Sequence, residues 1–290
     1  MGLHTSFRIG GPAEVFVAPE GSRDFVRIVA AARAEGLPIF ILGGGANILV
    51  GDRGIRGLVV DSSRLARIDA VSAGPESRLE AEAGASVDRL CEAAQARGLA
   101  GLEAFYGMPG SVGGAAFMNA RCYDLEMADR IAWIECLRPG KPEAERKAFD
   151  ASEWSYKRSP FQPGGEAAGA AILAVALRVE AGEPEAIAAA MREKRADREA
   201  KGHYRLPSAG SVFKNDRRLG VPTGKLLDGL GMRGRRIGDA MVSSWHANIF
   251  VNAGRATAAD MRELIETARA EAREKLGVEL EPEVLMVGDF

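Results

Sequence analysis

The feature that most restricts the fold of this chain is an uncharged, glycine-rich run, Tyr106–Ala120, with the sequence YGMPGSVGGAAFMNA. Glycine is needed where the backbone takes a positive φ or approaches another group closely. Such a run cannot form an amphipathic helix, and it has too few large side chains for an ordinary core strand. Its spacing indicates backbone pressed against a planar or phosphorylated ligand. The alternative interpretation is a turn-rich loop beneath a core.

A second uncharged glycine cluster, Leu42–Val50 with the sequence LGGGANILV, favours the ligand interpretation, because two such clusters in one chain need a common cause. Neither cluster shows the G-x-G-x-x-G pattern followed by a helix, and neither carries the Lys-Ser/Thr pair of a P-loop. The pattern therefore excludes a Rossmann site. Backbone N–H groups in such a turn can still hold the phosphates of a nucleotide.

Composition narrows the class of protein further. The 290 residues are long for one domain, and the net charge of -2 comes without a Lys/Arg stripe, so no nucleic-acid partner is expected. The three cysteines lack CxxC spacing, which indicates reduced thiols, and the three histidines lack metal-ligand spacing, so no metal site is expected. Without an apolar leader or a membrane-length apolar run, the sequence predicts a soluble, cytoplasmic protein with no membrane partner.

Hydrophobic periodicity predicts a chain that mixes strands and helices. Serine or threonine N-caps precede the helical patterns, and glycines end them. Strands are predicted at 14–18, 37–42, 57–61, 78–83, 130–138, 169–179, 246–252 and 279–287, and helices at 22–36, 86–98, 183–201, 223–231 and 257–277.

Three further segments carry candidate chemistry, each with an ordinary structural alternative. The aromatic segment 154–161, WSYKRSPF, is either an anion or carbonyl clamp or a loop anchored by its aromatic rings. Ser211 does not sit in a G-x-S-x-G nucleophile elbow and is otherwise a plain turn serine. Glu281 and Glu283 interrupt an apolar terminal segment, either as edge-strand charges or because one faces a site.

Taken together and in order, six stretches closely resemble the UDP-N-acetylenolpyruvoylglucosamine reductase family, in its shorter subtype without a substrate-loop insertion. The resemblance covers nearly the whole chain, and its specificity lies in the combination. The stretches are HTSFRIGGPA (4–13), LGGGANILV (42–50), GMPGSVGGAAFMNA (107–120), GSVFKN (210–215), HANIFVN (246–252) and PEV (282–284).

The resemblance implies an α+β fold. An FAD-binding PCMH-type module, like that of vanillyl-alcohol oxidase, would comprise subdomains at 1–62 and 63–182, followed by an α+β substrate-binding domain at 183–290. It implies a monomeric, cytoplasmic flavoenzyme that takes electrons from NADPH. Its substrate would be UDP-N-acetyl-3-O-(1-carboxyvinyl)glucosamine, which it would convert to UDP-N-acetylmuramate for peptidoglycan synthesis, and so for cell shape and division.

The resemblance also implies roles for individual residues. Ser211 matches a serine proton donor and Glu283 a C-terminal glutamate, while Lys157 or Arg158 would meet the substrate carboxylate. The expected FAD-pyrophosphate residues are Gly43, Gly44, Gly45, Ala46, Asn47 and Ile48, the flavin-lining residues are Gly107, Pro109, Gly110, Ser111, Gly113, Gly114 and Asn119, and the further substrate contacts are Tyr156, Lys214 and Asn215.

The chain departs from the family pattern at two places. Tyr156-Lys157-Arg158-Ser159 stands where Tyr-Arg-x-Ser is usual, and a lysine lacks the bidentate fork of an arginine. Arg121–Asp124 replaces a small, glycine-containing segment after the flavin run. Two alternatives therefore stay open, a PCMH-type flavin oxidoreductase for another sugar or alcohol and an inactive nucleotide-sugar binder.

Overall fold

The computed structural model describes residues 1–73 and 76–290. Short apolar segments bounded by glycine and proline form strands, and alanine-rich periodic segments form helices. The helices are α1 (Ser22–Ala34), α2 (Val87–Gln95), α3 (Val112–Phe117), α4 (Pro184–Ala200), α5 (Thr223–Gly229) and α6 (Ala258–Leu276). The strands are β1 (Ala13–Val17), β2 (Ile39–Leu42), β3 (Ile48–Val50), β4 (Ile55–Asp61), β5 (Ile68–Ala73), β6 (Glu76–Glu82), β7 (Leu99–Ala100), β8 (Arg121–Cys122), β9 (Leu125–Glu126), β10 (Ile131–Leu137), β11 (Glu145–Ala148), β12 (Ala171–Ala181), β13 (Arg236–Ile237), β14 (Ala240–Val242), β15 (Phe250–Asn252) and β16 (Leu285–Val287).

The chain divides into two units that are each discontinuous in sequence. Unit 1 comprises Met1–Glu14, Gly45–Arg56 and Asp197–Phe290, and unit 2 comprises Val15–Gly44 and Gly57–Ala196. The boundary at 44/45 falls inside the second glycine cluster, so the two halves of that cluster belong to different units. The threefold division predicted from the sequence stays a prediction.

Unit 2 is built around an antiparallel sheet with the strand order β11-β10-β12-β6-β5, to which β7 adds a short pairing with β12. Alternate residues of β6, β10 and β12 face a core that α2 and α3 cover, and this core includes Leu79, Leu90, Val112, Ile134 and Val175. A smaller sheet, β1-β4-β2, carries α1 on a second core around Phe25 and Val60.

Unit 1 packs α5 and α6 with the β13-β14-β15 sheet and the parallel pair β3-β16. Its core includes Phe213, Phe250 and Leu264. Thr257 caps α6 by accepting from Asp260 N, and the Asp52 carboxylate accepts from the first two amides of the helix, at 2.7 and 2.9 Å. These contacts satisfy N–H groups that a helix N-terminus leaves without intrahelical partners.

The structure confirms the α+β class and most of the predicted elements, with ends shifted by one to three residues. Two predicted strands were too long. Within 279–287 only Leu285–Val287 is strand, because Glu281 and Glu283 make only single backbone contacts with the 212–214 segment. Within the predicted strand 246–252 only Phe250–Asn252 is strand, because Ser243 Oγ donates to His246 O and His246 Nδ1 accepts from Asn248 N, which bends the preceding residues. The glycine-rich run contains α3, a helix that was not predicted; it is uniformly apolar and mostly buried, in agreement with the prediction that the run forms no amphipathic helix. Among the described residues, no helix is both long and apolar enough to cross a membrane.

Candidate active site

In unit 2 the two glycine clusters lie directly against each other. A Cβ on Gly44 would lie 2.6 Å from Gly110 Cα, so this contact between backbones excludes any side chain. The hydroxyl of Ser111 joins the two clusters by accepting from Gly44 N at 3.2 Å and from Gly114 N at 3.3 Å. The second of these bonds is also the N-cap of α3. Ser111 therefore acts as a cap and as the link between the clusters.

The glycine-rich run is anchored to the segment before α2 by backbone hydrogen bonds. Val112 N donates to Ala85 O and Gly113 N to Ala83 O, both at 2.8 Å. A Cβ on Gly113 would lie 2.6 Å from the Ala83 side chain, so glycine is required there for the helix to reach the sheet. At the start of the run, Gly107 N donates to Asp88 Oδ1 at 2.7 Å. The burial of Tyr106, with Glu92 beside it, raises the pKa of its phenol.

In unit 1 the remainder of the second cluster forms a tight turn against the N-terminal segment. Gly45 has φ +61°, and a Cβ there would overlap the carbonyl oxygen of His4. Ser6 donates from its backbone N to Gly45 O at 3.0 Å and from its hydroxyl to Ala46 O at 3.3 Å. The backbone N–H groups of Gly45, Ala46 and Asn47 donate to no acceptor among the described residues. Consecutive amides of this kind form an anion-binding nest.

The features of each unit fit a part of FAD. The successive amides at 45–47 are donors suited to a pyrophosphate, and the bare backbone at 43–44 and 110–114 offers an uncharged surface that a ring system can approach. Residues predicted for the pyrophosphate occur in both units, Gly43 and Gly44 in unit 2 and Gly45–Ile48 in unit 1. Their contact with the cofactor stays a prediction.

The predicted anion clamp lies on a closed turn of unit 2. Ser155 N donates to Arg158 O at 3.2 Å, and Arg158 N donates to Ser155 O at 2.9 Å. Lys157 has φ +59°, an uncommon conformation for a residue with a side chain, and is only 9% exposed. Arg158 is exposed, so the two candidate cations lie in different surroundings.

The clamp turn, residues 155–158, is joined to the end of α3 by two side chains whose positioning role was not predicted from the sequence. Ser159 Oγ donates to Phe117 O at 2.6 Å, and Gln162 Nε2 donates to the same carbonyl at 2.9 Å and to Lys157 O at 3.1 Å. The C-terminal carbonyls of a helix lack intrahelical partners, which explains why this carbonyl accepts two side chains. The glycine-rich run and the predicted clamp are thereby fixed relative to each other.

In unit 1 antiparallel backbone pairing places the segments that carry Ser211 and Glu283 side by side. Glu283 N donates to Val212 O at 2.7 Å, and Phe213 bridges to Pro282, so Ser211 and Glu283 lie on adjacent segments. Both residues are half-buried. The Glu283 carbonyl also accepts from Asn47 Nδ2 at 3.0 Å, which ties Glu283 to the amide turn.

The structure gives Lys214 and Asn215 intramolecular partners. Lys214 Nζ forms an ion pair with Glu281 at 2.6 Å, and Asn215 Oδ1 accepts from Thr223 N at 2.9 Å at the start of α5. Glu281 and Glu283 both precede β16, so neither is an edge-strand charge. The roles of Lys214 and Asn215 in substrate binding stay predictions.

Asn248 was missed as a positioning residue. It is buried, accepts from Phe213 N at 3.0 Å and donates to Phe213 O at 2.8 Å, and so fixes the segment that carries Ser211. Its only signal was its place in the HANIFVN stretch. Burial lowers the pKa of the neighbouring His246, which fits a neutral ring whose Nδ1 accepts from Asn248 N at 3.2 Å.

Comparison with known proteins agrees with this geometry. Residues 13–140 match an FAD-binding domain, and residues 202–287 match the C-terminal domain of UDP-N-acetylenolpyruvoylglucosamine reductase. The fold and the two bare glycine clusters thus define an FAD-binding flavoprotein with a PCMH-type cofactor module.

The particular family follows from full-length relatives. UDP-N-acetylenolpyruvoylglucosamine reductase of Rubrobacter xylanophilus is 42% identical over 99% of this chain and 93% of the relative. The Treponema denticola enzyme is 39% identical over 99% and 91%. The crystal structure of the enzyme from Thermus caldophilus superimposes with a TM-score of 0.80 at 31% identity, covering 99% of this chain and 96% of that one. The chain belongs to the UDP-N-acetylenolpyruvoylglucosamine reductase family, and the predicted resemblance, fold and FAD cofactor are confirmed.

Proposed function

We propose that this protein reduces the enolpyruvyl group of UDP-N-acetylglucosamine enolpyruvate to give UDP-N-acetylmuramate, with NADPH as the source of electrons. The observation that carries the proposal is the backbone pairing of the Ser211 and Glu283 segments in a chain that matches this family over its whole length. The product is a precursor of peptidoglycan.

When bound, FAD supplies the hydride chemistry of the reaction. The chain's own residues supply binding, orientation and proton transfer. The amides of Gly45–Asn47 would hold the pyrophosphate, and the glycine-rich run would line the ring and keep charge away from it. Ser211 would protonate the substrate carbon next to the carboxylate. A serine hydroxyl is a weak acid, so this step needs a donor placed within hydrogen-bond reach and an environment poor in water.

The substrate carboxylate gains negative charge as the double bond is reduced, so a fixed cation beside it stabilises the transition state. We assign this role to Lys157 rather than Arg158, because Lys157 is buried and is held by the hydrogen-bonded clamp turn. Lys157→Met is expected to lower kcat/KM by about 100-fold or more. Arg158→Met serves as the matched control and is expected to stay within about twofold of the wild type.

The test of the function is product formation. Purified protein with FAD, NADPH and the enolpyruvyl substrate should consume NADPH and release a sugar nucleotide heavier by two hydrogens, as seen by mass spectrometry. If the mass of the substrate does not change while NADPH is consumed, the substrate assignment is wrong. If Arg158→Met is impaired and Lys157→Met is not, the assignment of the cation is reversed.

A cytoplasmic location and a monomeric state, without nucleic-acid or membrane partners, belong to the same proposal. The weak net charge of -2 without a Lys/Arg stripe supports the expectation of no nucleic-acid partner, and the nucleotide nature of both substrates supports the cytoplasmic location. The monomeric state comes from the family resemblance alone. Light scattering on a sizing column should give a mass near 30.8 kDa. The mass of a dimer would show that the monomeric state is wrong and would leave the proposed reaction unaffected.

A further inference from the structure

The segment just after the glycine-rich run forms a short hairpin, β8-β9, held by an arginine on its first strand. Arg121 Nη1 donates to Glu126 Oε1 at 2.9 Å, and Arg121 Nε donates to Tyr123 O at 3.1 Å. The side chains of Arg121 and Glu126 are only 23% and 18% exposed. An ion pair sheltered in this way is screened less by solvent and salt than a surface pair.

The other carboxylate oxygen of Glu126 holds Asn119. Asn119 is 0% exposed and has φ +41°. Its Nδ2 donates to Glu126 Oε2 at 3.0 Å and to Ser155 O at 2.9 Å, while its Oδ1 accepts from Ala128 N at 3.0 Å. Both amide hydrogens and the amide oxygen are engaged, so the orientation of this side chain depends on Glu126.

The hydrogen bond from Asn119 to the Ser155 carbonyl reaches the clamp turn. The Ser155 carbonyl accepts from Asn119 and from Arg158 N, so the buried amide braces the residue that opens the turn. Lys157 lies in the left-handed region inside this turn. A residue with a side chain keeps that conformation only where its surroundings over-determine it.

We propose that the Arg121–Glu126 ion pair is a positioning device for the substrate-carboxylate clamp and acts on Lys157 through Asn119 and Ser155. This inference rests on the proposed function, since the clamp is defined by the enolpyruvyl substrate. Arg121 and Glu126 are positioning residues, which act through Asn119 and do not themselves contact substrate or cofactor.

The carboxylate of Glu126 is shared, because it accepts from both Arg121 and Asn119. With Arg121 in place, Glu126 is held with one oxygen toward the guanidinium and the other toward Asn119. Without that cation, a partly buried carboxylate gains from turning toward water, and Asn119 loses its acceptor. The amide can then reorient, and the Ser155–Arg158 turn loses its brace. Substrate binding should weaken, while reduction of the flavin by NADPH, which does not need the carboxylate clamp, should change little.

The variants that test this are Arg121→Met and Glu126→Gln, alone and together. Glu126→Gln keeps the size of the side chain, but its single amide oxygen can accept from Arg121 or from Asn119 and not from both, so the shared acceptor is lost. Arg130→Met is the matched control, because Arg130 is 26% exposed and forms an ion pair of 3.0 Å with Glu180 on β12. Two readouts apply, the KM for the enolpyruvyl substrate and hydrogen–deuterium exchange of the 155–158 amides in the FAD-loaded protein.

We expect each single variant to raise this KM by about tenfold, with flavin reduction by NADPH within about twofold of the wild type. The double variant should be no worse than either single one, because both remove the same ion pair. Exchange at 155–158 should quicken by about tenfold in these variants and not in the control.

Unchanged exchange at 155–158 in Arg121→Met overturns the positioning role. If the effects of the two substitutions add in the double variant, Arg121 and Glu126 do not act through one ion pair. The exchange measurement needs no turnover, so its failure is distinguishable from failure of the proposed function, in which the wild type itself would not act on the enolpyruvyl substrate.

Discussion

At the scale of single residues, the assignment of the proton donor gives the sharpest prediction. Ser211 follows Gly210, whose φ of +75° turns the chain, and Asn248 fixes the two residues after Ser211. Ser211→Ala should leave reduction of the flavin by NADPH within about twofold of the wild type. Reoxidation by the enolpyruvyl substrate should slow by about 100-fold or more, because only this half-reaction needs the proton.

Stopped-flow absorbance of the flavin separates these two half-reactions. Ser244→Ala, at an exposed serine of the same unit, is the control and should match the wild type in both. Equal slowing of both half-reactions in Ser211→Ala would show that the residue is structural.

A second residue-scale prediction concerns acid stability. Burial, followed by the charges of neighbours such as Arg198 and Lys201, lowers the pKa of His203 from 6.5 to about 4. A histidine whose folded pKa is depressed binds its proton more readily in the unfolded chain. Stability is therefore fully present above pH 6.5 and is lost as the pH falls from about 6.5 toward 4.

The loss between pH 7 and pH 5 should be about 2 kcal/mol for this one group. Urea unfolding of wild type and His203→Gln at the two pH values measures it, since the variant lacks the titrating ring. Equal acid destabilisation of both proteins would contradict the shift assigned to His203.

At the scale of elements, the contact between the glycine clusters predicts a steric effect. A methyl group at Gly44 would meet the backbone of Gly110 and Ser111 rather than a movable side chain. Gly44→Ala should separate the two clusters, cost about 1–3 kcal/mol of stability and weaken FAD binding by about tenfold or more.

Fluorescence titration of the apoprotein with FAD gives the affinity. Gly229→Ala is the matched control, because a methyl group there has open space around it and lies in a helix. FAD affinity that is unchanged in Gly44→Ala would mean that this contact does not shape the cofactor site.

The cap of α6 gives a second element-scale prediction. Asp52 accepts from the first two amides of the helix, from a loop far away in sequence. Asp52→Ala should lower the free energy of unfolding by about 1–2 kcal/mol, as loss of a helix cap does. Asp124→Ala should leave the urea midpoint unchanged, because this carboxylate is fully exposed and its 3.5 Å ion pair with Arg121 is worth little at the surface. Equal midpoints for the two variants would argue against the cap.

The elements also show what could be predicted from sequence. Helices with a serine or threonine cap and a glycine stop, such as α2 and α6, were located because both signals are local. The helix α3 was missed because its residues are small and apolar on every face, so it has no amphipathic period. The hairpin at Arg121–Glu126 was seen only as a departure from the family pattern, since strands of two residues leave no periodicity.

In the candidate site, sequence motifs identified the functional residue types, whereas contacts between residues distant in sequence determine what surrounds each of them. The pairing of Val212 with Glu283 and the brace from Asn119 to Ser155 join segments that no local pattern relates. The difference between buried Lys157 and exposed Arg158 likewise depends on a turn conformation that residue type does not encode.

At the scale of the whole molecule, one chain combines an FAD-binding domain with a region that matches the C-terminal domain of UDP-N-acetylenolpyruvoylglucosamine reductase. The most direct test follows the flavin spectrum of the purified protein under anaerobic conditions. We expect a yellow protein that NADPH bleaches and that UDP-N-acetylglucosamine enolpyruvate then reoxidises, with one UDP-N-acetylmuramate formed per flavin. Bleaching by NADPH followed by no reoxidation on adding this substrate would contradict the proposed function.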